Sequence, residues 1–392
     1  LGVARERPGA LGDDAAGARP DGRPGLVRGR RPPRADESRP REGDFEEAGG
    51  VADVDGQFGQ IAPCRIPIRA AGDGSLPVPG WDESHAWRGS IPFDDLPQRR
   101  NPPDHVIVAA NQAVRGADPS HFISRDWALP YRAARIASLL DAPGDRGRRR
   151  RAVEREGAKA AEPSLYALEL QPFLAGLDDG SDARRAEAIA LVADWDGHAH
   201  AGSAAAAIAE AWLVHLNRLI LVDDLPGDVI DDYLPNDNLQ QQPRRFLADA
   251  LAAEESPWCD DTRTAEHETC DDLARRALDG AIGDLDTRLG GRTSAWRWGR
   301  VPQARYGAEP FGEVPLLQRI FNRRIANGGD AFTVNAAPSN PAEPYRQEKA
   351  PGYRQIVTLR EEDGGPFSIA TGQSRHPLSG HYPHPLPPHP DV

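Results

Sequence analysis

Methionine is absent from the 392 residues, and cysteine occurs only three times. Without an initiator, Leu1 is not an ordinary translation start, so the chain is expected to be processed or part of a longer product. Three cysteines exclude a small disulfide-stapled scaffold and a four-cysteine zinc site. Apolar residues are scarce too, at 39%, where average domains hold roughly 45–50% with glycine counted in. The most apolar stretch, 201–222, carries Glu210, His215 and Arg218, which a lone membrane span would not tolerate. Residues 1–30 build no apolar core of the signal-peptide type. Positive charge is in deficit, with 47 Lys and Arg against 60 Asp and Glu for a net of −13. That balance argues against a protein that coats nucleic acid or anionic membrane.

Short catalytic signatures are missing as well. Gly372-Gln-Ser-Arg-His376 lacks the closing glycine of a nucleophile elbow. His267-Glu268 opens like a zinc-protease helix, but Asp271 stands where the second histidine belongs. Neither a phosphate-binding P-loop nor a dinucleotide glycine loop occurs. The tail histidines His376, His381, His384 and His389 lie in a proline-rich stretch with no fixed geometry for a metal.

What is present falls into distinct textures. Residues 1–43 are mostly Arg, Gly, Pro, Asp and Ala, and they cannot bury enough apolar surface to offset the entropy of ordering. A second island, 143–163, contains the Arg146, Arg148–Arg151 run. It reads as a solvated loop, because nucleic-acid sites interleave aromatics that are missing here. Between and after these islands the chain looks folded. Val51–Asp55 and Gln57–Ile61 flank Asp55-Gly56 and predict a β-hairpin. Arg65–Arg69 and Val106–Ala110 predict strands, the latter ending at Asn111. Helices are expected over Asp126–Leu140, Ser164–Leu177, Asp182–Trp195, Ser203–Val222 and Cys270–Leu289. Strands return at Ala331–Asn335, Tyr353–Leu359 and Phe367–Thr371. Strands, helices and strands again make the fold class α+β, with sheet pairing across a helical insertion.

A long pattern carries more than any short motif. Val51-Ala-Asp-Val-Asp-Gly-Gln-Phe-Gly-Gln-Ile61 leads to Gly72-Asp-Gly-Ser-Leu-Pro-Val-Pro-Gly-Trp81 and Trp87-Arg-Gly-Ser-Ile-Pro-Phe93. Ala109-Ala-Asn111 and Arg125-Asp-Trp-Ala-Leu-Pro-Tyr-Arg-Ala-Ala-Arg-Ile136 follow. Trp296-Arg-Trp-Gly299, Gly328-Gly-Asp330, Thr333-Val-Asn-Ala336 and Thr371-Gly-Gln-Ser374 complete it in order. Over residues 44–391 this resembles the C-terminal part of the β chain of the penicillin acylase family of N-terminal-nucleophile hydrolases.

The resemblance implies an incomplete αββα sandwich and hydrolysis of a linear N-acyl amide, either a β-lactam side chain or an acyl-homoserine lactone. In that family the nucleophile is the serine at the β-chain N-terminus, and its own α-amine is the base. Ser38 is the single serine in residues 1–43 and lacks the expected surroundings, so this chain alone is expected to be inactive. An acylase α chain, or the missing β-chain N-terminal part, is the implied partner. Truncated or inactive forms that only bind remain the alternative. The resemblance assigns Asn111 as an oxyanion donor, although an Asn there is also a common turn former and Gln112 leaves the register open by one. Arg135 is matched to an arginine near the nucleophile, and it shares a helix face with Tyr131; an ordinary ion pair is the other reading. Asp126 and the Gly74 carbonyl are matched to structural calcium ligands, while Asp126 also suits a helix N-terminus. Cys259 and Cys270 are matched to a family disulfide rather than two buried thiols, which implies an oxidising, periplasmic or secreted setting. Residues 1–43 and 143–163 interrupt the family pattern abruptly, as frame-shifted translation would.

Overall fold

The computed structural model describes residues 49–62, 65–114, 121–125, 127–141, 163–233, 241–253, 255–301, 303–307, 310–340, 345–347, 353–355, 357, 359, 367–369 and 376–379. Residues 1–43, most of the 143–163 island, Cys64, Asp126 and the last tail histidines lie outside them.

Helices start where the sequence supplies caps. Pro130 precedes α1 (Tyr131–Asp141), and its carbonyl accepts the first helical hydrogen bond from Ala134 at 2.8 Å. Ser164, Asp182 and Ser203 cap α2 (Leu165–Ala175), α3 (Ala183–Ala193) and α4 (Ala204–Leu219), each side chain accepting from a first-turn N–H. Helices α5 (Gly227–Tyr233) and α6 (Gln241–Ala252) were not expected from the sequence. Thr269 heads α7 (Cys270–Leu289) through a reciprocal capping box with Asp272. A short α8 (Gln318–Phe321) closes the set.

The core lies between α4 and α7. Leu273, Ala274, Ala277, Leu278, Ala281, Ile282 and Leu285 recur at helical spacing on α7 and are buried against α4. Burying each leucine contributes roughly 1.5–3 kcal/mol. Close approach is possible because α4 presents a run of alanines, and the Trp212 indole N–H bridges the helices to the Ala274 carbonyl at 3.0 Å. Gly280 allows the same closeness, since a Cβ there would meet the His215 ring at 2.7 Å. Trp296 and Trp298 seal one end, donating to the Gly290 and Gly329 carbonyls.

Sheet segments flank this helical layer. Strands β1 (Gly49–Ala52) and β2 (Phe58–Ile61) form the expected hairpin, with Ala52 opposite Phe58. Its connection is longer than two residues because Asp53 accepts from the Asp55 and Gln57 N–H groups, with Gly56 at φ 83°. Strands β3 (Pro67–Arg69) and β4 (Trp87–Ser90) pair with a bulge, and β5 (Gln98–Arg100) joins β2. Beyond α7, β6 (Gln303–Tyr306), β7 (Arg323–Ala326), β8 (Ser339–Asn340) and β9 (Arg346–Gln347) make a mixed sheet in the order β7-β6-β9-β8. Strands β10 (Tyr353–Gln355) and β11 (Phe367–Ile369) pair where strands were expected.

Two expected strands do not form. Val106–Ala110 is unpaired, because the Gln112 amide takes the Val108 carbonyl (2.8 Å) and the Ala110 N–H (2.7 Å). Ala331–Asn335 is a largely buried run of bends, its Phe332 and Thr333 N–H groups drawn to the Asp330 side chain. The helix expected from Asp126 begins at Tyr131, since Pro130 sets the start. Among the described residues, no helix is long and apolar enough to cross a membrane.

Candidate active site

Asn111 sits where the unpaired 105–110 segment turns back, with a left-handed φ of 64°. Asparagine tolerates that conformation better than most residues. So Asn111 is the turn residue the sequence allowed for, yet its side chain is not spent on the turn. Its backbone carbonyl accepts from Ala128 at 2.9 Å, beside the isolated bridge of Gln112 to Ala128. Its Oδ1 accepts from the Arg132 guanidinium at 2.9 Å, and the same nitrogen holds the Ala110 carbonyl at 3.0 Å. With Oδ1 held there, the amide Nδ2 is the donor this exposed side chain has left to offer. Gln112, the neighbour that left the register open by one, is committed to backbone groups of its own loop.

Helix α1 is anchored on its other face. The Tyr131 ring lies edge-on to Tyr166 (5.5 Å) and Phe332 (5.4 Å), and its hydroxyl donates to Glu169. Burial, then the Glu169 contact, raises the Tyr131 pKa, so it stays a donor at ordinary pH. Arg132 is therefore fixed at the base by a helix pinned in the aromatic core. Arg135 lies one turn further along α1, half-buried, with Ser138 donating to its carbonyl. The contact with Asn111 is made by Arg132, which the sequence reading did not single out. Pro130 was the available signal: a helix starting there puts Arg132 in the first turn, next to the preceding loop.

The calcium expectation meets a mixed local picture. Gly74 has φ 83°, and a Cβ there would strike the Arg69 guanidinium at 2.7 Å, so glycine is required. Next to it, the Asp73 carboxylate accepts from the Ser75 N–H (3.0 Å) and hydroxyl (2.5 Å) and pairs with Arg125 at 2.5 Å. The Ser75 bonds hold the Asp73 carboxyl below its ordinary pKa. The Arg125 pair brings the segment just before Asp126 against the Gly74 loop. Both Asp73 oxygens are engaged, however, and among the described residues no group of three or more His, Cys, Asp or Glu could hold a metal. Asp126, the other ligand the resemblance implies, lies outside the described residues. Cys259 and Cys270 are joined as a disulfide at the start of α7.

The chain is similar to known proteins over most of its length. An acyl-homoserine lactone acylase QuiP of Pseudomonas fluorescens is 29% identical over 330 residues, covering 81% of this chain and 40% of that protein. A penicillin acylase 2 proenzyme of a Pseudomonas species is 27% identical over 350 residues, covering 85% and 41%. The chain thus spans about two fifths of the length of these relatives. A solved thermostable penicillin G acylase from Alcaligenes faecalis superposes with a TM-score of 0.52 at 18% identity, over 85% of this chain and 61% of that one. That likeness establishes the fold, α+β of the N-terminal-nucleophile hydrolase type. The penicillin amidase family model matches residues 50–389, spanning the hairpin, the Asn111–Arg132 pair and the helical core alike, and the chain belongs to that family.

Proposed function

We propose that this chain supplies the oxyanion side of an amidohydrolase that splits linear N-acyl amides into a carboxylic acid and an amine. The observation that carries it is the Arg132 contact, which holds Asn111 Oδ1 and leaves Nδ2 as the donor the side chain can offer a ligand. In the reaction a nucleophile adds to the amide carbon, and the carbonyl electron pair moves to oxygen. Asn111 Nδ2 donates a hydrogen bond to that oxygen, an interaction stronger in the transition state than in the substrate. Collapse re-forms the carbonyl and expels the amine, which takes the proton given up by the nucleophile; water then adds to the acylated nucleophile, and a second collapse releases the carboxylic acid and returns a proton to the nucleophile. The described neighbours of Asn111, namely Ala110, Gln112, Ala128 and Arg132, include no nucleophile. The reading therefore assigns the nucleophile to sequence outside the described residues or to a partner polypeptide.

Acyl-homoserine lactones are the first substrate class to test, since several relatives carry that activity in their names, and a β-lactam N-acyl side chain is the second. Arg135 is retained as a substrate-organising candidate. The Cys259–Cys270 bond supports a periplasmic or secreted location. Calcium held by Gly74 and Asp126 is retained only with most ligands from a partner, and a rise in melting temperature on calcium addition checks it. The main test is the native-host product, isolated with any bound polypeptide and assayed on an acyl-homoserine lactone. Hydrolysis that falls about 10²–10³-fold in kcat on Asn111→Ala supports the reading. Lactone binding with no turnover in the native product would replace it with a binding role.

A further inference from the structure

Two acids face each other deep under the helical layer. Glu210, on α4, is 5% exposed, and Asp330, in the loop after β7, is 2% exposed. The two side chains lie within hydrogen-bonding reach of one another. Asp330 Oδ1 accepts from the Phe332 N–H (2.6 Å) and the Thr333 N–H (2.9 Å). Asp330 Oδ2 and Glu210 Oε1 are both buried, and among the described residues no N–H or O–H reaches either oxygen. Two touching buried carboxylates repel and are poorly solvated, whereas one proton between them satisfies both orphan atoms.

We propose that Glu210 is a neutral carboxylic acid donating its proton to Asp330 Oδ2, and that this shared proton clasps the 327–335 loop to α4. The charges around the pair fit one negative group, not two. Arg244 comes from α6, its guanidinium 5.1 Å from the Phe332 ring centre, with a buried Nη1 that has no partner. Tyr166 from α2 donates to the Arg244 carbonyl (3.0 Å), and the buried Tyr345 hydroxyl lies beyond. One arginine thus balances one carboxylate while Glu210 stays neutral. Burial, then the Asp330 charge, pushes the Glu210 carboxyl well above its ordinary value, with Arg244 opposing. The clasp extends toward the candidate active site, because Phe332 packs edge-on to Tyr131, next to Arg132. That last extension rests on the Asn111 reading above; the shared proton does not.

Thermal unfolding of the 392-residue chain and of Glu210→Gln, from about pH 5 to about pH 9, tests the clasp directly. Glutamine keeps the volume and offers Asp330 an N–H that does not titrate. A carboxyl raised in the folded state contributes fully at and below its ordinary value of 4.5, and that contribution is lost as pH climbs toward the folded value. The melting temperature of Glu210→Gln should therefore gain on that of the parent steadily as pH rises. A gap that stays constant with pH overturns the proposal. Should the variant fail to fold, infrared spectra of the parent decide: a protonated carboxyl band persisting above neutrality supports the clasp, and its absence removes it. Neither readout depends on acylase activity, so the clasp and the acylase reading can fail separately.

Discussion

Removing the Cys259–Cys270 bond should destabilise the chain by an amount that can be worked from its place in the fold. The two residues are 11 apart in sequence. Closing a loop of that size restricts the unfolded chain by about 9 cal/mol/K, or about 3 kcal/mol at room temperature. Native hydrogen bonds inside the loop, such as Glu268 N–H to Asp260 (3.0 Å) and the Arg263–Asp261 pair (2.7 Å), do not replace this effect. They act on the folded state, while the cross-link acts on the unfolded one. Reduced wild-type protein keeps both cysteine side chains and should lose about 3 kcal/mol. Cys259→Ala with Cys270→Ala should lose about 1 kcal/mol more, since Cys259 is 1% exposed and its sulfur would leave a void. In urea, with a slope of roughly 3 kcal/mol per molar, the reduced protein should unfold about 1 M earlier, with a slope equal or slightly steeper as the opened chain expands. Thiol alkylation of the denatured chain should find one reactive cysteine before reduction and three after it. Identical urea midpoints for oxidised and reduced protein would refute the reasoning.

Three further expectations follow from single contacts. Leu278→Ala, at a fully buried position between α7 and α4, should cost about 3 kcal/mol in denaturant unfolding; a loss under 1 kcal/mol would mean the helix pair is not the centre of the core. Thr269→Ala removes the α7 capping box and should cost about 1 kcal/mol, read in the same assay. Asp261, hydrogen-bonded to Arg263, has its carboxyl lowered from 3.8 to about 2. A depressed acid contributes stability above its unfolded value and loses it as pH falls through the folded one. Melting temperature should therefore drop between pH 3.8 and about 2, and Asp261→Asn should flatten that drop; an unchanged acid limb counts against the Arg263 pair.

How much of this was legible depends on where the information sits. Ser164, Asp182, Ser203 and Thr269 announce helices locally, because a cap and an apolar period act within a few residues. The starts of α2, α3, α4 and α7 accordingly fall within one residue of expectation. Helix α1 starts five residues later than expected, because Pro130 outweighed the acidic residue before it. Val106–Ala110 and Ala331–Asn335 have strand composition, yet Gln112 and Asp330 claim their backbone groups and leave no ladder to join. Whether an apolar run pairs depends on a partner remote in sequence, which β propensity does not encode.

Composition and motif order by themselves determined the family, the α+β class, the helical insertion and Asn111 as a residue of interest. These are properties of local pattern and of residues in register along the chain. The tertiary structure brought Arg132 to Asn111, since only the packing of Tyr131 against Tyr166 and Phe332 sets the rotation of α1. It also brought Glu210 to Asp330 across 120 residues. In the sequence Glu210 is merely a charge that spoils a membrane span; only burial beside a second acid gives its proton a structural task.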